Sequence, residues 1–263
     1  MLRKLIGYDL ESIFKVLAIF YSLAVFFGLL ARIFFSFENS LALNIIGEVC
    51  SGAAISMMCS IIINNLMRMW VRFKANFYGD EAYLTHTLPV EKHTHYFSKM
   101  LTAVITLLVS FGVIGIVLFI AYYSKENLQL VKDILFPLAQ AYDSTVLGFL
   151  AVLLAVLFLE FLNILQCGFS GIILGHKMNT AKTGFSVLYG FIVYSASQLT
   201  VVIIMFIVAL FNKDFMNLFV TNEIVSIDTL KSAVLLAVAS YSAITLALWY
   251  INIRLFKKGV NVD

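Results

Sequence analysis

Six apolar stretches, each long enough to cross a lipid bilayer, constrain this chain more than any other feature. They lie near 13–35, 41–66, 100–123, 146–175, 185–211 and 230–253. Crossing a hydrocarbon core of about 30 Å takes roughly 20 apolar residues, each adding about 1.5 Å of helix. In lipid every backbone polar group must be satisfied within the structure, so such segments are helices. The expected fold is an all-α polytopic membrane protein, one transmembrane domain over 1–263. A soluble alternative fails on composition: 62% of the residues are hydrophobic and 13% charged, against about 45–50% and about 25% in soluble domains.

Six spans place both termini on one side. Arg32, Lys125, Lys132, Lys213 and Lys231 fall on the other, and the remaining thirteen of eighteen Lys and Arg gather with the termini. The positive-inside bias makes the richer side cytoplasmic. The net charge of +3 is therefore topological and implies no nucleic-acid partner. The first apolar run is too long for a signal peptide and ends in Arg32 and phenylalanines, not in a small-residue cleavage site. Lys15 and Arg32, near its ends, can snorkel to the interface.

Ahead of that run, "MLRKLIGYDLESIFK" repeats Leu2, Leu5, Ile6, Leu10 and Ile13 at helical spacing, with Arg3, Lys4, Asp9, Glu11 and Lys15 assigned to the other side. The pattern suits an interfacial amphipathic helix over 1–12, the alternative being an extension of span one. In the outer loop "SKENLQLVKDILFPLAQAYDST", Leu128, Val131, Leu135 and Leu138 mark a short amphipathic helix on the membrane surface. The last outer loop, 212–229, carries Phe215, Met216, Leu218 and Phe219 and can dip into the interface. Pro89 and Pro137 are both assigned to loops, which leaves the spans without proline breaks and weakens a carrier built on discontinuous helices.

Catalytic and metal chemistry find little support. Cys50, Cys59 and Cys167 fall in spans without CxxC or metal spacing, so they read as packing residues. "GIILGHKM" (171–178) has three residues between its glycines where a phosphate loop needs four, and no Ser or Thr follows its lysine. Gly171 and Gly175 read instead as a small-residue surface for close helix contact. His86, His93 and His95 lie near Asp80, Glu81 and Glu91, yet no HExxH occurs, and residues two apart on a helix face different ways. No metal site is expected.

Two carboxylates lie within spans. Glu160, in "LFLEFLNILQCGF", is followed by Asn163 and Gln166 on a neighbouring stripe; Glu48 lies nearer the outer end of span two, one turn from Asn44. A charge at bilayer depth costs at least about 2.5 kcal/mol, so Glu160 must face protein or water, or be protonated. These four residues can line a translocation path as a proton or cationic-substrate site. They can equally serve as hydrogen bonds between helices.

The longest polar stretch, "FYGDEAYLTHTLPVEKHTHYFSK", lies in the cytoplasmic connection 67–99 between spans two and three. Asp80 and Glu81 suit the start of a short helix, where carboxylates complement its dipole. Phe77, Tyr78, Tyr83 and Leu84 offer knobs for a cleft in a partner. Thr87 can cap, and Pro89 suits the first turn of the helix leading into span three.

That stretch resembles a segment of permease subunits of bacterial ATP-binding-cassette transporters, the type-two exporter permeases of Gram-positive bacteria. The resemblance rests on Phe77, Tyr78, Asp80, Glu81, Tyr83, Leu84, Thr85, Thr87, Leu88, Pro89 and Val90, then Ser98 and Lys99 entering the third span. Gly79 stands where some members carry a longer link, and Ala82 where glycine is frequent. "GIILGHKMNTAKTGFSVL" and the ending "NIRLFKKGVNVD" are similar, more loosely, to the family's second cytoplasmic connection and basic tail.

The resemblance implies a non-catalytic permease subunit of the bacterial cell membrane that binds no cofactor itself. It pairs with a second copy or a related chain, above two cytoplasmic ATPase subunits that hold ATP and Mg. Coupling would run through 77–87, including Thr85, with a lesser contact over 175–182 that includes His176 and Lys177. The alternative is a stand-alone proton-coupled carrier that uses Glu160.

Overall fold

The computed structural model describes residues 2–37, 40–220 and 226–258. Among them run α1 (Leu2–Phe35), α2 (Leu41–Phe77), α3 (Ala82–Thr87), α4 (Lys92–Tyr122), α5 (Lys125–Ala141), α6 (Val146–Gly175), α7 (Lys182–Phe211), α8 (Lys213–Val220) and α9 (Ile227–Lys257), with no strand among the described residues. The helices α1, α2, α4, α6, α7 and α9 are long and apolar enough to cross a membrane. The chain is an all-α polytopic membrane protein. The end of its basic tail, beyond Lys258, and 221–225 of the last outer loop lie outside the described residues.

Contacts divide the chain into two compact units. Unit 1 holds Met1–Asn76 and Tyr83–Leu130; unit 2 holds Phe77–Ala82 and Val131–Asp263.

Unit 1 is built on α1, α2 and α4. Ala24, Ala54, Met58, Ile61 and Val117 form its apolar centre, flanked by Phe20, Tyr21 and Ile114. Small residues let the helices approach closely, the means by which helices associate where lipid supplies no hydrophobic contrast. Polar groups join the same helices: Asn65 Nδ2 donates to Ser110 Oγ at 2.8 Å, and Thr106 Oγ1 to Asn65 Oδ1 at 3.1 Å. At one end Arg32 donates to the Tyr123 carbonyl.

Several expectations change here. The interfacial helix expected over 1–12 is a continuous part of α1, because nothing in that stretch breaks a helix. Asp9, assigned to the polar side, lies on the buried stripe with Ile13, Leu17, Ala24, Gly28 and Ala31. Its spacing of four residues to Ile13 dictates that face.

Helix α2 runs past the expected end of its span to Phe77, and α4 starts at Lys92. The polar connection thus shrinks to the residues between them, with α3 inside. Pro89 does not open α4. It lies two residues before the N-cap Glu91, where a proline disfavours helical geometry in the residue preceding it and so helps to end α3. Pro137 lies inside α5, not in a loop; a proline removes one ladder bond, and amphipathic spacing on both sides carries the helix through.

Unit 2 is centred on α6, which packs along α7 and α9. Its start is capped by Thr145, whose hydroxyl accepts from Gly148 N at 3.1 Å. Near its other end the expected small-residue surface is present. A Cβ on Gly171 would stand 2.4 Å from the Ser186 carbonyl oxygen and 2.5 Å from Gly190 N, and one on Gly175 would stand 2.4 Å from Ser186 N. At the far end of unit 2 Phe215 of α8 is buried with Ala209 and Ala233, so it is packed in the protein instead of dipping outward.

Candidate functional site

The end of α2 and the turn after it are seated in unit 2. Phe77 meets the ring of Phe256 near the end of α9, edge-on, with centroids 4.7 Å apart. Tyr78 lies against the imidazole of His176 at 4.3 Å. Both aromatics are 1% exposed, so they are roots of the turn and not knobs for a partner, as they were expected to be. Apolar rings at the polar end of a helix gain most by folding back onto another helix end. Burial pushes the Tyr78 phenol above its ordinary range.

His176 caps α6. It is fully buried, and its Nδ1 donates to the Ile172 carbonyl at 2.8 Å. Lys177, next to it, is exposed. Asp80 and Glu81 are exposed in the turn ahead of α3, and Ala82 N donates to Gly79 O at 2.9 Å, closing that turn.

Helix α3 then presents Tyr83 and Leu84, 67% and 75% exposed. Thr85 is half-buried and Thr87 exposed. The Thr87 hydroxyl donates back to the Leu84 carbonyl at 2.8 Å, so it closes α3 from its C-terminal side instead of capping the next helix.

The helices flanking this segment are locked in unit 1 by charge. Lys99 Nζ of α4 donates to both carboxylate oxygens of Asp9, at 2.6 and 2.7 Å, and also to Asn76 Oδ1 of α2. Arg72 Nε adds a bond to Asp9 Oδ1 at 3.2 Å. Asp9, Lys99 and Asn76 are all buried. One carboxylate with several donors satisfies both charges, the condition for keeping a pair out of water.

The second candidate cluster runs down α6. Glu160 is half-buried, and its Oε1 accepts from Tyr194 (3.0 Å) and from Gln198 Nε2 (2.8 Å) on α7. Tyr241 of α9 donates to Gln198 Oε1 at 2.6 Å. Lower on the same stripe Asn163 Nδ2 donates to Ser197 at 3.1 Å, and Gln166 Nε2 to the Thr245 carbonyl at 3.0 Å. Ser170 closes the series by donating to Asn252 Oδ1 at 2.7 Å. Asn163 and Gln166 are buried and serve as helix-to-helix bonds. Glu48 is exposed near the start of α2 in unit 1, apart from this stripe.

The chain matches no protein-family model, no curated protein and no solved structure. What the two clusters can do is therefore read from their geometry alone.

Neither cluster assembles a nucleophile with a base and an orienting group. Among the described residues no three His, Cys, Asp or Glu side chains are placed to hold a metal. His93 Nδ1 instead pairs with Glu91 at 2.8 Å, and His95 is buried in α4. The first cluster is an exposed short helix whose preceding turn is rooted in helix ends. The second is a hydrogen-bonded carboxyl at the middle of a span. Tyr194, Gln198 and Tyr241 were not singled out in the sequence, and Asp9 was assigned to the polar side. Asp9 was legible from its place at four-residue steps with Ile13 and Leu17, and Tyr194 with Gln198 from polar residues one turn apart in an apolar span.

Proposed function

We propose that the chain is the transmembrane permease subunit of an ATP-driven exporter, docking a separate cytoplasmic ATPase through α3. The observation that carries this reading is the pair Tyr83 and Leu84. Two large side chains stand exposed on a short helix outside the spans, beside the exposed carboxylates of Asp80 and Glu81. Contiguous apolar surface of this kind marks a place where a partner binds. The turn before it is held by Phe77 and Tyr78 on the ends of α9 and α6, which supports a role for this segment in passing movement to those helices. The charge bias, thirteen of eighteen Lys and Arg on one side, supports a cytoplasmic position for α3. ATP and Mg would sit on the ATPase, two copies of which would serve a pair of permease chains in a bacterial cell membrane.

Co-purification of the full chain from its native membrane tests the reading. A separately encoded ATPase is expected to accompany it, and Tyr83→Ala with Leu84→Ala to release that subunit while the chain itself remains folded. Retention of the ATPase by the double variant, or none bound to the wild type, rejects the docking role. The second reading, a stand-alone proton-coupled carrier, draws support from the Glu160 cluster. It predicts uptake driven by a proton gradient in vesicles that hold this chain alone and no ATP.

A further inference from the structure

Unit 1 carries its own measure of the membrane. Arg32 of α1 donates to the Tyr123 carbonyl, and the Ser51 hydroxyl of α2 bonds the Tyr122 hydroxyl, so both residues are level with the end of α4. Seventeen residues from each, Lys15 on α1 and Arg68 on α2 stand exposed, and no Asp, Glu, Lys or Arg lies between on either helix. At about 1.5 Å per residue each stretch is about 25 Å long, close to a hydrocarbon core of about 30 Å. Lys15 and Arg68 therefore mark one boundary of the apolar layer, at the end of α2 that leads to α3.

Most charges at this boundary are already satisfied. Lys15 pairs with Glu11 at 2.8 Å. Asp9 accepts from Lys99 at both carboxylate oxygens and from Arg72 at one. Arg68 enters no hydrogen bond or ion pair among the described residues. It stands one turn from Arg72, a step that puts two side chains on one face of a helix. Lys99, Arg72 and Arg68 face the single carboxylate of Asp9, so positive charge is in excess at this corner.

The surroundings of Arg68 favour a lipid over a dissolved anion. Met67 and Val71 beside it are exposed, an apolar border that acyl chains cover and a small ion cannot. A guanidinium is a planar fork of donors that matches phosphate geometry, and the edge of the apolar layer is where lipid phosphates lie.

We propose that Arg68, with Arg72 one turn behind it, binds the phosphate of an anionic phospholipid at this boundary of unit 1. The site is independent of whether an ATPase docks at α3, and its test uses this chain alone, so the two readings succeed or fail separately.

Native mass spectrometry of the full chain, stripped of lipid in a neutral detergent and titrated with phosphatidylglycerol, reads the binding. Arg68→Gln is expected to weaken it about fivefold, the usual worth of one cation near an anionic lipid surface. Arg68→Lys should retain most of it. Lys125→Gln, which removes the same charge at the start of α5, should leave it unchanged. Phosphatidylcholine, which has a phosphate but no net charge, should bind more weakly and without dependence on Arg68. Equal phosphatidylglycerol binding by the wild type and Arg68→Gln overturns the proposal, as does an equal loss in Lys125→Gln. Inorganic phosphate that binds the wild type and displaces the lipid through Arg68 alone would assign the site to a free anion and overturn the lipid. Should Arg68→Gln fail to fold, the wild type decides by the preference for phosphatidylglycerol over phosphatidylcholine and its loss in high salt; no preference overturns the proposal.

Discussion

Lys99 Nζ bonds both carboxylate oxygens of Asp9, ninety residues away in sequence and buried with it. The pair ties the start of α1 to the start of α4, and Asn76 of α2 shares the ammonium. Removing one partner leaves the other charge out of water. Lys99→Met is expected to destabilise unit 1 by about 3–5 kcal/mol, the usual cost of breaking a buried pair. Lys99→Met combined with Asp9→Leu should recover much of that loss. Thermal unfolding of the three purified proteins in one detergent checks it, and equal loss in the single and double variants would refute the pairing as the cause.

Gly171 marks a close approach of α6 to α7. Its added Cβ would stand 2.4 Å from the Ser186 carbonyl oxygen, whereas one on Gly190 meets nothing nearer than 3.6 Å. Gly171→Ala should therefore cost about 1–3 kcal/mol through overpacking, and Gly190→Ala should be tolerated. A melting-temperature comparison decides, with similar melting of both variants as the contrary result.

Tyr78 and Tyr83 are five residues apart and predict opposite behaviour. Tyr78 is buried against His176, and Tyr83 is exposed. Truncating a buried large aromatic costs about 3–5 kcal/mol, so Tyr78→Ala should unfold readily. Exposed substitutions stay within about 0.5 kcal/mol, so Tyr83→Ala should melt like the wild type while losing any partner bound at α3. Limited proteolysis at rising temperature separates the two.

Ala181 precedes α7 with φ +49°, in the left-handed region. A Cβ there costs about 1–2 kcal/mol, part of which glycine returns in chain entropy. Ala181→Gly is expected to stabilise unit 2 by up to about 1 kcal/mol. Chemical denaturation in mixed micelles would register it as a later midpoint, and an earlier midpoint would contradict the strain.

Much of this architecture could be read along the chain. The six spans emerge from runs of apolar residues, since only length and hydropathy decide whether a segment leaves water for lipid. The close contact at Gly171 and Gly175 was legible for the same local reason: two missing side chains one turn apart make a groove wherever the helix goes. Asp80, Glu81, Tyr83 and Leu84 lie exposed around α3 as their order suggested.

Local pattern misled where a partner from elsewhere sets the outcome. Phe77 and Tyr78 resemble Tyr83 and Leu84 in type, yet Phe256 and His176 bury the first two and leave the others outside. Asp9 looked solvent-facing because it is charged, although its spacing put it on the buried stripe. The arrival of Lys99, with Arg72 beside it, makes that burial tolerable.

The sequence by itself determined that this is a helical membrane protein with six spans, a polar segment between the second and third, and a small-residue face on α6, because periodicity and hydropathy are properties of neighbouring residues. Tertiary structure alone decided that Asp9 pairs with Lys99, that Tyr78 is a root and Tyr83 a free knob, and that Glu160 shares hydrogen bonds with Tyr194 and Gln198. Each of these depends on which distant group arrives to satisfy a charge, a ring or a lone pair, and such a meeting is fixed by how the helices pack.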